Sequence, residues 1–455
     1  MERKKIEIKK QNKNYYHSYP KLFAASFFIL ILIGAALLML PISIKQGSVS
    51  FIEALFTATS ASCVTGLVVF DTFTKWTLFG QIVILFLIQI GGLGFITIIT
   101  MLSRFLKKRV SLKEKLLLKE SFGGIYASDM RKLVKRVLEG TVIFEVLGAA
   151  ILSSQFIPQM GLKNGLYTSV FLSVSAFCNA GFDVLGRIEA GSSLITVNDN
   201  PVILITISFL IIIGGIGFVV WDDIIENKAR FKMYNLHTKL TLITTAVLLI
   251  GGMLIYFAFE ANNCFEDMPF WQKILNSFFA SSTTRTAGFN SIANGDLSAQ
   301  SKIMTYILMF IGGSSGSTAG GIKTSTAAVI LICAVSTIKN SRDVEIFGKR
   351  IPETALRKAV SIATINSFLI FTSSILISLI QPNLMYSDIL FECISAIGTV
   401  GMSTGITAQL TIVSQIIITL LMFIGRITSL IFVFLFIADN AGKNTQKPKG
   451  NMLIG

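Results

Sequence analysis

The sequence predicts an all-α integral membrane protein: four parallel repeats of span, short re-entrant pore helix and span around a central pore, with eight transmembrane spans and four re-entrant loops. Three observations predict it. The chain is strongly apolar, its basic residues gather in alternate inter-span segments, and a glycine-ended motif recurs four times at near-equal spacing.

Hydrophobic residues make up 52% of the 455 positions and charged residues 14%, with a mean hydropathy of +0.69. A soluble domain carries about 25% charged residues, so this surface is not built for water all round. Eight apolar stretches, at 22–40, 76–102, 142–157, 201–221, 240–259, 303–338, 360–380 and 412–438, reach or approach the roughly 20 residues needed to cross a bilayer. The third is short and contains Glu145. The first follows a basic segment, as a secretion signal would, but it is too long and ends in Leu40-Pro41 without a small-residue cleavage site, so it is expected to remain as a span.

The formal charge of +15 is a matter of placement. Segments 1–21, 104–136, 228–239, 339–358 and the tail after Asp439 hold 31 of the 40 lysines and arginines. The alternate segments hold Lys45, Lys75, Lys163, Arg187, Lys273 and Lys302. The positive-inside rule puts the basic set, with both termini, in the cytoplasm, and this topology signal argues against nucleic-acid binding. The block from Arg104 to Arg109 is also suited to anionic lipid headgroups. Five cysteines without paired spacing, and two histidines, His17 and His237, in cytoplasmic segments, speak against a zinc site or a disulfide framework.

The internal repeat organises the rest. Cys63-Val64-Thr65-Gly66, Cys178-Asn179-Ala180-Gly181, Arg285-Thr286-Ala287-Gly288 and Gly398-Thr399-Val400-Gly401 each end in a glycine followed by an apolar residue, and the glycines are 115, 107 and 113 residues apart. Each segment follows an amphipathic stretch too short to span, at 51–62, 166–177, 271–283 and 387–396, and precedes a polar loop and a span with glycine inside it: Gly91-Gly92, Gly214-Gly215, Gly312-Gly313 and Gly425. Two crossings per unit give every unit the same orientation about a common axis. The expected organisation is a cytoplasmic N-terminus (1–21), repeat 1 (22–102), a linker (103–141), repeat 2 (142–221), a linker (222–239), repeat 3 (240–338), a linker (339–359), repeat 4 (360–438) and a cytoplasmic tail (439–455).

Extended backbone at membrane depth is tolerated only where it lines a protein-enclosed or watery cavity. Four such segments around one axis offer rings of carbonyls that can replace a cation's hydration shell, and each preceding helix turns its partially negative C-terminus toward that axis. Glycines that merely allow close helix packing would instead show small-xxx-small spacing inside long spans. The span of the third repeat departs from its relatives. Nine of the twelve residues Gly312, Gly313, Ser314, Ser315, Gly316, Ser317, Thr318, Ala319, Gly320, Gly321, Ile322 and Lys323 are Gly, Ser or Thr, a poor composition for a helix. An unwound segment is expected there, whereas 91–95 and 214–218 are expected to continue as apolar helix. The string mimics a phosphate-binding loop, but Ile322 stands where the lysine must follow the glycine and no strand precedes it.

These four segments and the 312–323 string closely resemble the Ktr/Trk/HKT superfamily of potassium transporters, most of all its Ktr membrane, ion-conducting subunit, over 20–438. The resemblance implies gated, channel-like potassium uptake across a bacterial cell membrane, with the four quoted segments as the selectivity filter that binds the transported ion. In the superfamily a serine in place of the first-loop glycine accompanies sodium permeation, so Gly66 and its three glycine counterparts imply potassium. It also implies that 312–323 is the intramembrane gating loop and that Arg426 matches the last-span arginine acting as barrier or latch. A homodimer on a cytoplasmic ring of nucleotide-binding regulatory subunits, with membrane lipids around it, follows by the same resemblance; no nucleotide site is expected on this chain. Arg285 is expected to pair with a re-entrant-helix carboxylate, Glu53 or Glu392. Lys323 either contacts the gate or reaches the cytoplasmic interface. No catalytic constellation is visible, so an enzyme is not expected. A potassium-translocating subunit of an ATP-driven pump, a proton-coupled symporter of the Trk type, and a membrane-embedded enzyme or scaffold with incidental repeats stay open as alternatives, as does sodium dependence.

Overall fold

A computed structural model describes residues 24–94, 130–341 and 343–427. The expected N-terminal segment, most of the linker at 103–141 and the tail lie outside the described residues. Within them the chain is mainly helical, with one two-stranded antiparallel ladder at Glu345–Ile346 and Lys349–Arg350. Three helices, Lys132–Met160, Leu236–Glu260 and Glu353–Ile380, are long and apolar enough to cross a membrane, and Pro201–Ile216 with Phe218–Asn227 forms a fourth as a bent pair. Ala24–Leu38, Leu78–Leu93, Thr324–Ile338 and Ile412–Ile427 are shorter apolar helices. Phe86, Val146, Val247, Leu254, Phe368 and Leu379 are among the large apolar side chains that these helices expose, an outward face suited to lipid.

The four amphipathic stretches are helices Phe51–Ser62, Leu162–Phe177, Phe270–Thr283 and Tyr386–Gly398. The first opens on a capping box, in which the Ser50 hydroxyl accepts from the Glu53 amide at 3.3 Å and the Glu53 carboxylate from the Ser50 amide at 2.7 Å. Their inner halves are rich in serine and threonine yet fully buried, and several hydroxyls return a proton to the carbonyl one turn earlier: Ser169 to Gly165, Ser277 to Lys273 and Ser282 to Phe278, at 2.7–2.8 Å. Phe56, Phe171 and Phe391, each ten residues before its loop glycine, are completely buried beside them.

The packing order closes on itself. Ile412–Ile427 packs on Phe51–Ser62, Leu78–Leu93 on Leu162–Phe177, Pro201–Ile216 on Phe270–Thr283, and Ala299–Phe310 on Tyr386–Gly398. Each short helix therefore rests against the helix that follows the preceding glycine segment.

Three helices differ from expectation. The one carrying Glu145 starts at Met130, before the apolar run, because Leu133, Val134 and Val137 give the basic stretch a buried face while Arg136 pairs with Asp222 and Glu226. The expected single span at 201–221 bends by 91° between Ile216 and Phe218. Gly217 takes φ +108° there, and the Phe218 amide, freed from its own helix, donates to the Gly316 carbonyl at 2.8 Å. Gly94 ends Leu78–Leu93 in the same way, at φ +80°. The third glycine of each Gly-Gly-x-Gly string thus stops a helix that was expected to run on.

Candidate ion-conduction site

The four glycine-ended segments meet. A methyl group placed on Gly66 would lie 2.6 Å from the Ala180 carbonyl oxygen and 3.1 Å from Gly181 Cα; on Gly181, 2.6 Å from Ala287 O and 3.1 Å from Gly288 Cα; on Gly288, 2.5 Å from Val400 O and 3.0 Å from Gly401 Cα. On Gly401 it would strike the Thr65 carbonyl and lie 2.8 Å from Gly66 Cα, which closes the circle. Cys63, Val64, Thr65, Cys178, Asn179, Ala180, Thr286, Ala287, Thr399 and Val400 are all buried around it.

Backbone conformation repeats with the ring. Gly66, Gly181, Gly288 and Gly401 have φ between +68° and +97°, and the residue two before each, Val64, Asn179, Thr286 and Thr399, also has positive φ, from +49° to +69°. Left-handed and ordinary residues alternate, which turns successive carbonyls to one side of the strand. For β-branched Val64, Thr286 and Thr399 that conformation costs on the order of 1–3 kcal/mol each and persists only where the surroundings enforce it.

Part of the enforcement comes from residues the sequence reading did not single out. Ser60, Ser175 and Ser395 stand six residues before their glycines, and their carbonyls accept from Thr65, Ala180 and Val400 amides at 2.8 Å. The Ser60 and Ser395 hydroxyls also accept from the Gly66 and Gly401 amides at 3.1 Å. In the third segment Thr283 replaces the serine as anchor: its carbonyl takes the Ala287 amide at 2.9 Å and its hydroxyl donates to Phe289 O at 2.7 Å. The shared serine spacing was the available signal.

Arg285 is not paired as expected. Its Nη2 meets the Thr245 hydroxyl at 3.4 Å on Leu236–Glu260, and its buried Nε has no partner among the described residues. Both proposed carboxylates are satisfied locally instead, Glu53 in its capping box and Glu392 by the hydroxyls of Ser403 and Thr407 in the outgoing loop.

The Gly/Ser/Thr string is unwound between Ala299–Phe310 and Thr324–Ile338. Its backbone is held by neighbours from other segments rather than by its own turns. The amides of Ser314 and Thr318 donate to Gly215 O and Gly214 O at 3.0 and 3.3 Å, and the Thr318 hydroxyl donates to Phe177 O at 3.3 Å. Methyl groups on Gly312 and Gly321 would lie 2.5 Å from Gly320 O and 2.8 Å from Gly398 O, and one on Gly320 would strike the Thr399 hydroxyl. Within the string, Ser317 Oγ donates to Ser314 O at 2.7 Å, Ser315 Oγ meets Ser325 Oγ at 3.1 Å, the Thr324 amide donates to Gly313 O at 3.1 Å, and Lys323 Nζ donates to Ala319 O at 2.7 Å. Arg426 reaches across from Ile412–Ile427 and donates one guanidinium nitrogen to Thr318 O and the other to Gly91 O. Lys323 therefore touches the unwound string itself, and Arg426 ties that string to the end of Leu78–Leu93.

A family model described as TrkH, cation transport protein, matches residues 6–447. The chain is 40% identical over 442 residues to the potassium/sodium uptake protein NtpJ of Enterococcus hirae, covering 96% of this chain and 97% of that one. It is 40% identical over 438 residues to the Ktr system potassium uptake protein B of Bacillus subtilis, covering 96% of each. The crystal structure of the potassium transporter TrkH from Vibrio parahaemolyticus superposes with a TM-score of 0.70 at 14% identity, over 91% of this chain and 83% of that one, and shares its fold. A multi-pass membrane chain with these apolar helices and a family match over nearly its full length belongs to the TrkH family of cation transport proteins.

Proposed function

We propose that this chain is the ion-conducting subunit of a potassium uptake system in a bacterial cell membrane, with both termini cytoplasmic and four span–pore-helix–span repeats, eight spans in all, around the pore. The observation that carries the reading is the closed ring of Gly66, Gly181, Gly288 and Gly401 with alternating positive φ. Carbonyls from four strands at each level replace the water around a dehydrated cation, and the C-terminal ends of four short helices, which run straight into the ring, favour positive charge there. Potassium is the ion because all four ring positions lack a side chain and because the Bacillus subtilis and Vibrio alginolyticus relatives are named as Ktr potassium uptake proteins. Sodium enters as a second ion through the name of the Enterococcus hirae relative.

The 312–323 string is the gate, with Lys323 inside it and Arg426 as its latch, since its hydroxyls and glycines let freed backbone groups find new partners as it moves. A homodimer seated on a cytoplasmic ring of nucleotide-binding subunits supplies the input, as the Ktr system names of the relatives suggest. Purified protein in potassium-loaded vesicles tests this: potassium flux that exceeds sodium flux supports it, with an imposed sodium gradient deciding whether sodium drives or only accompanies the movement. Equal potassium and sodium flux would refute it.

A further inference from the structure

Glu145 has no part in the ring or the gate as described, yet it sits on Met130–Met160 among the exposed apolar side chains Val142, Ile143, Val146 and Leu147. An ionisable group at that depth is costly and calls for a partner and a reason. Its carboxylate accepts from Gln89 Nε2 at 3.0 Å, and its backbone carbonyl accepts from the Ser173 hydroxyl at 2.7 Å. Gln89 Oε1 in turn accepts from the Cys178 thiol at 3.6 Å. A methyl on Gly92 would lie 2.7 Å from Cys178 Sγ, so the helix bearing Gln89 is pressed against that thiol.

Cys178 is the first residue of the second ring segment and immediately precedes Asn179, one of the left-handed residues. The chain of contacts therefore runs from a half-buried carboxylate on Met130–Met160 to a ring strand. We propose that Glu145 is a positioning residue for ion selectivity: it orients the Gln89 amide, which seats Cys178 and with it the second strand of the ring. This rests on the ring being the selectivity filter.

The direction follows from donor and acceptor capacity. The Glu145 carboxyl oxygen accepts from the NH2 of Gln89, which leaves the Gln89 amide oxygen for the Cys178 thiol. Without it, nothing prevents the amide from turning and presenting its donors to a sulfur that is a poor acceptor. The device belongs to the second strand, because the residues two before the other span glycines are Ile212, Phe310 and Phe423. The left-handed Asn179 is held in place only while its neighbours over-determine it, so a loosened Cys178 is transmitted to the ring.

The test is the ratio of potassium to sodium flux in reconstituted vesicles for Glu145→Leu, Glu145→Gln, Gln89→Met and the Glu145→Leu/Gln89→Met pair, with Gly66→Ser alongside. Loss of one such hydrogen bond is expected to lower the ratio about fivefold in Glu145→Leu and in Gln89→Met. The pair should fall no further than either single change, and Glu145→Gln, which keeps an acceptor oxygen, should lie between parent and leucine variant. A purely structural role scales both fluxes together and leaves the ratio alone. An unchanged ratio in Glu145→Leu, or additive losses in the pair, with Gly66→Ser still lowering it, overturns the proposal and spares the filter. An unchanged ratio in Gly66→Ser overturns both. If Glu145→Leu fails to insert, Gln89→Met decides by the same criterion.

Discussion

Arg426→Ala removes two hydrogen bonds at once, one to Thr318 O in the unwound string and one to Gly91 O at the end of Leu78–Leu93. A hydrogen bond to a charged group contributes about 1.5–3 kcal/mol net. The lower end of that range is taken for each. On the proposed gate, the two together would favour the closed arrangement by about 3 kcal/mol, a factor of roughly 100 in the closed-to-open ratio. The assay is basal potassium or rubidium flux into vesicles containing this chain alone, without a regulatory partner. Flux should rise by up to that factor, or to the fully open rate if the parent's bias is smaller. Arg426→Lys, which keeps charge but loses the forked geometry, should rise less. Parental or lower flux from well-inserted Arg426→Ala protein would refute the latch. A change in ion preference without a change in basal flux would move Arg426 from the gate to the filter.

Deleting Ser314–Thr318 should raise basal flux beyond Arg426→Ala and leave the potassium-to-sodium ratio intact, because the deletion removes the string's contacts with Gly214, Gly215 and Phe177 and none of the ring glycines. Ser60→Ala and Ser395→Ala each orphan a buried glycine amide, so both should lower the thermal midpoint by the equivalent of about 1 kcal/mol or more. Ser175→Ala should lower it less, since the Ser175 hydroxyl has no partner among the described residues. A cysteine placed at Lys115, in a cysteine-free background, should resist a membrane-impermeant label applied to intact cells; labelling from outside would reverse the assigned orientation.

The short helices were legible to within a few residues because each is an amphipathic run closed by a glycine segment, and the first three ended where the pattern placed them, at Ser62, Phe177 and Thr283. The unwound string was legible from composition alone. The left-handed residues at Val64, Thr286 and Thr399 were not, since β-branched side chains signal strand or ordinary helix, and only the ring's neighbours and the serine anchors impose that backbone. The bend at Gly217 had its glycine in plain view, but the 91° angle depends on the Gly316 carbonyl that takes the Phe218 amide, a contact about a hundred residues away in the chain. The Arg285 pairing failed for a related reason. A charge count says that a buried arginine wants a carboxylate, and it cannot say that Glu53 and Glu392 are already occupied by a cap and a loop.

The potassium-to-sodium permeability ratio of Gly288→Ser tests whether the ring selects the ion. Gly288 has φ +80°, and the added Cβ would sit 2.5 Å from Val400 O and 3.0 Å from Gly401 Cα. A left-handed conformation alone costs an L-residue roughly 1–2 kcal/mol, so the strand should shift and carry its carbonyls off the ring. Flux should continue, with the ratio reduced by about an order of magnitude. A folded, conducting Gly288→Ser protein with the parental ratio would remove these four segments from the filter and contradict the account.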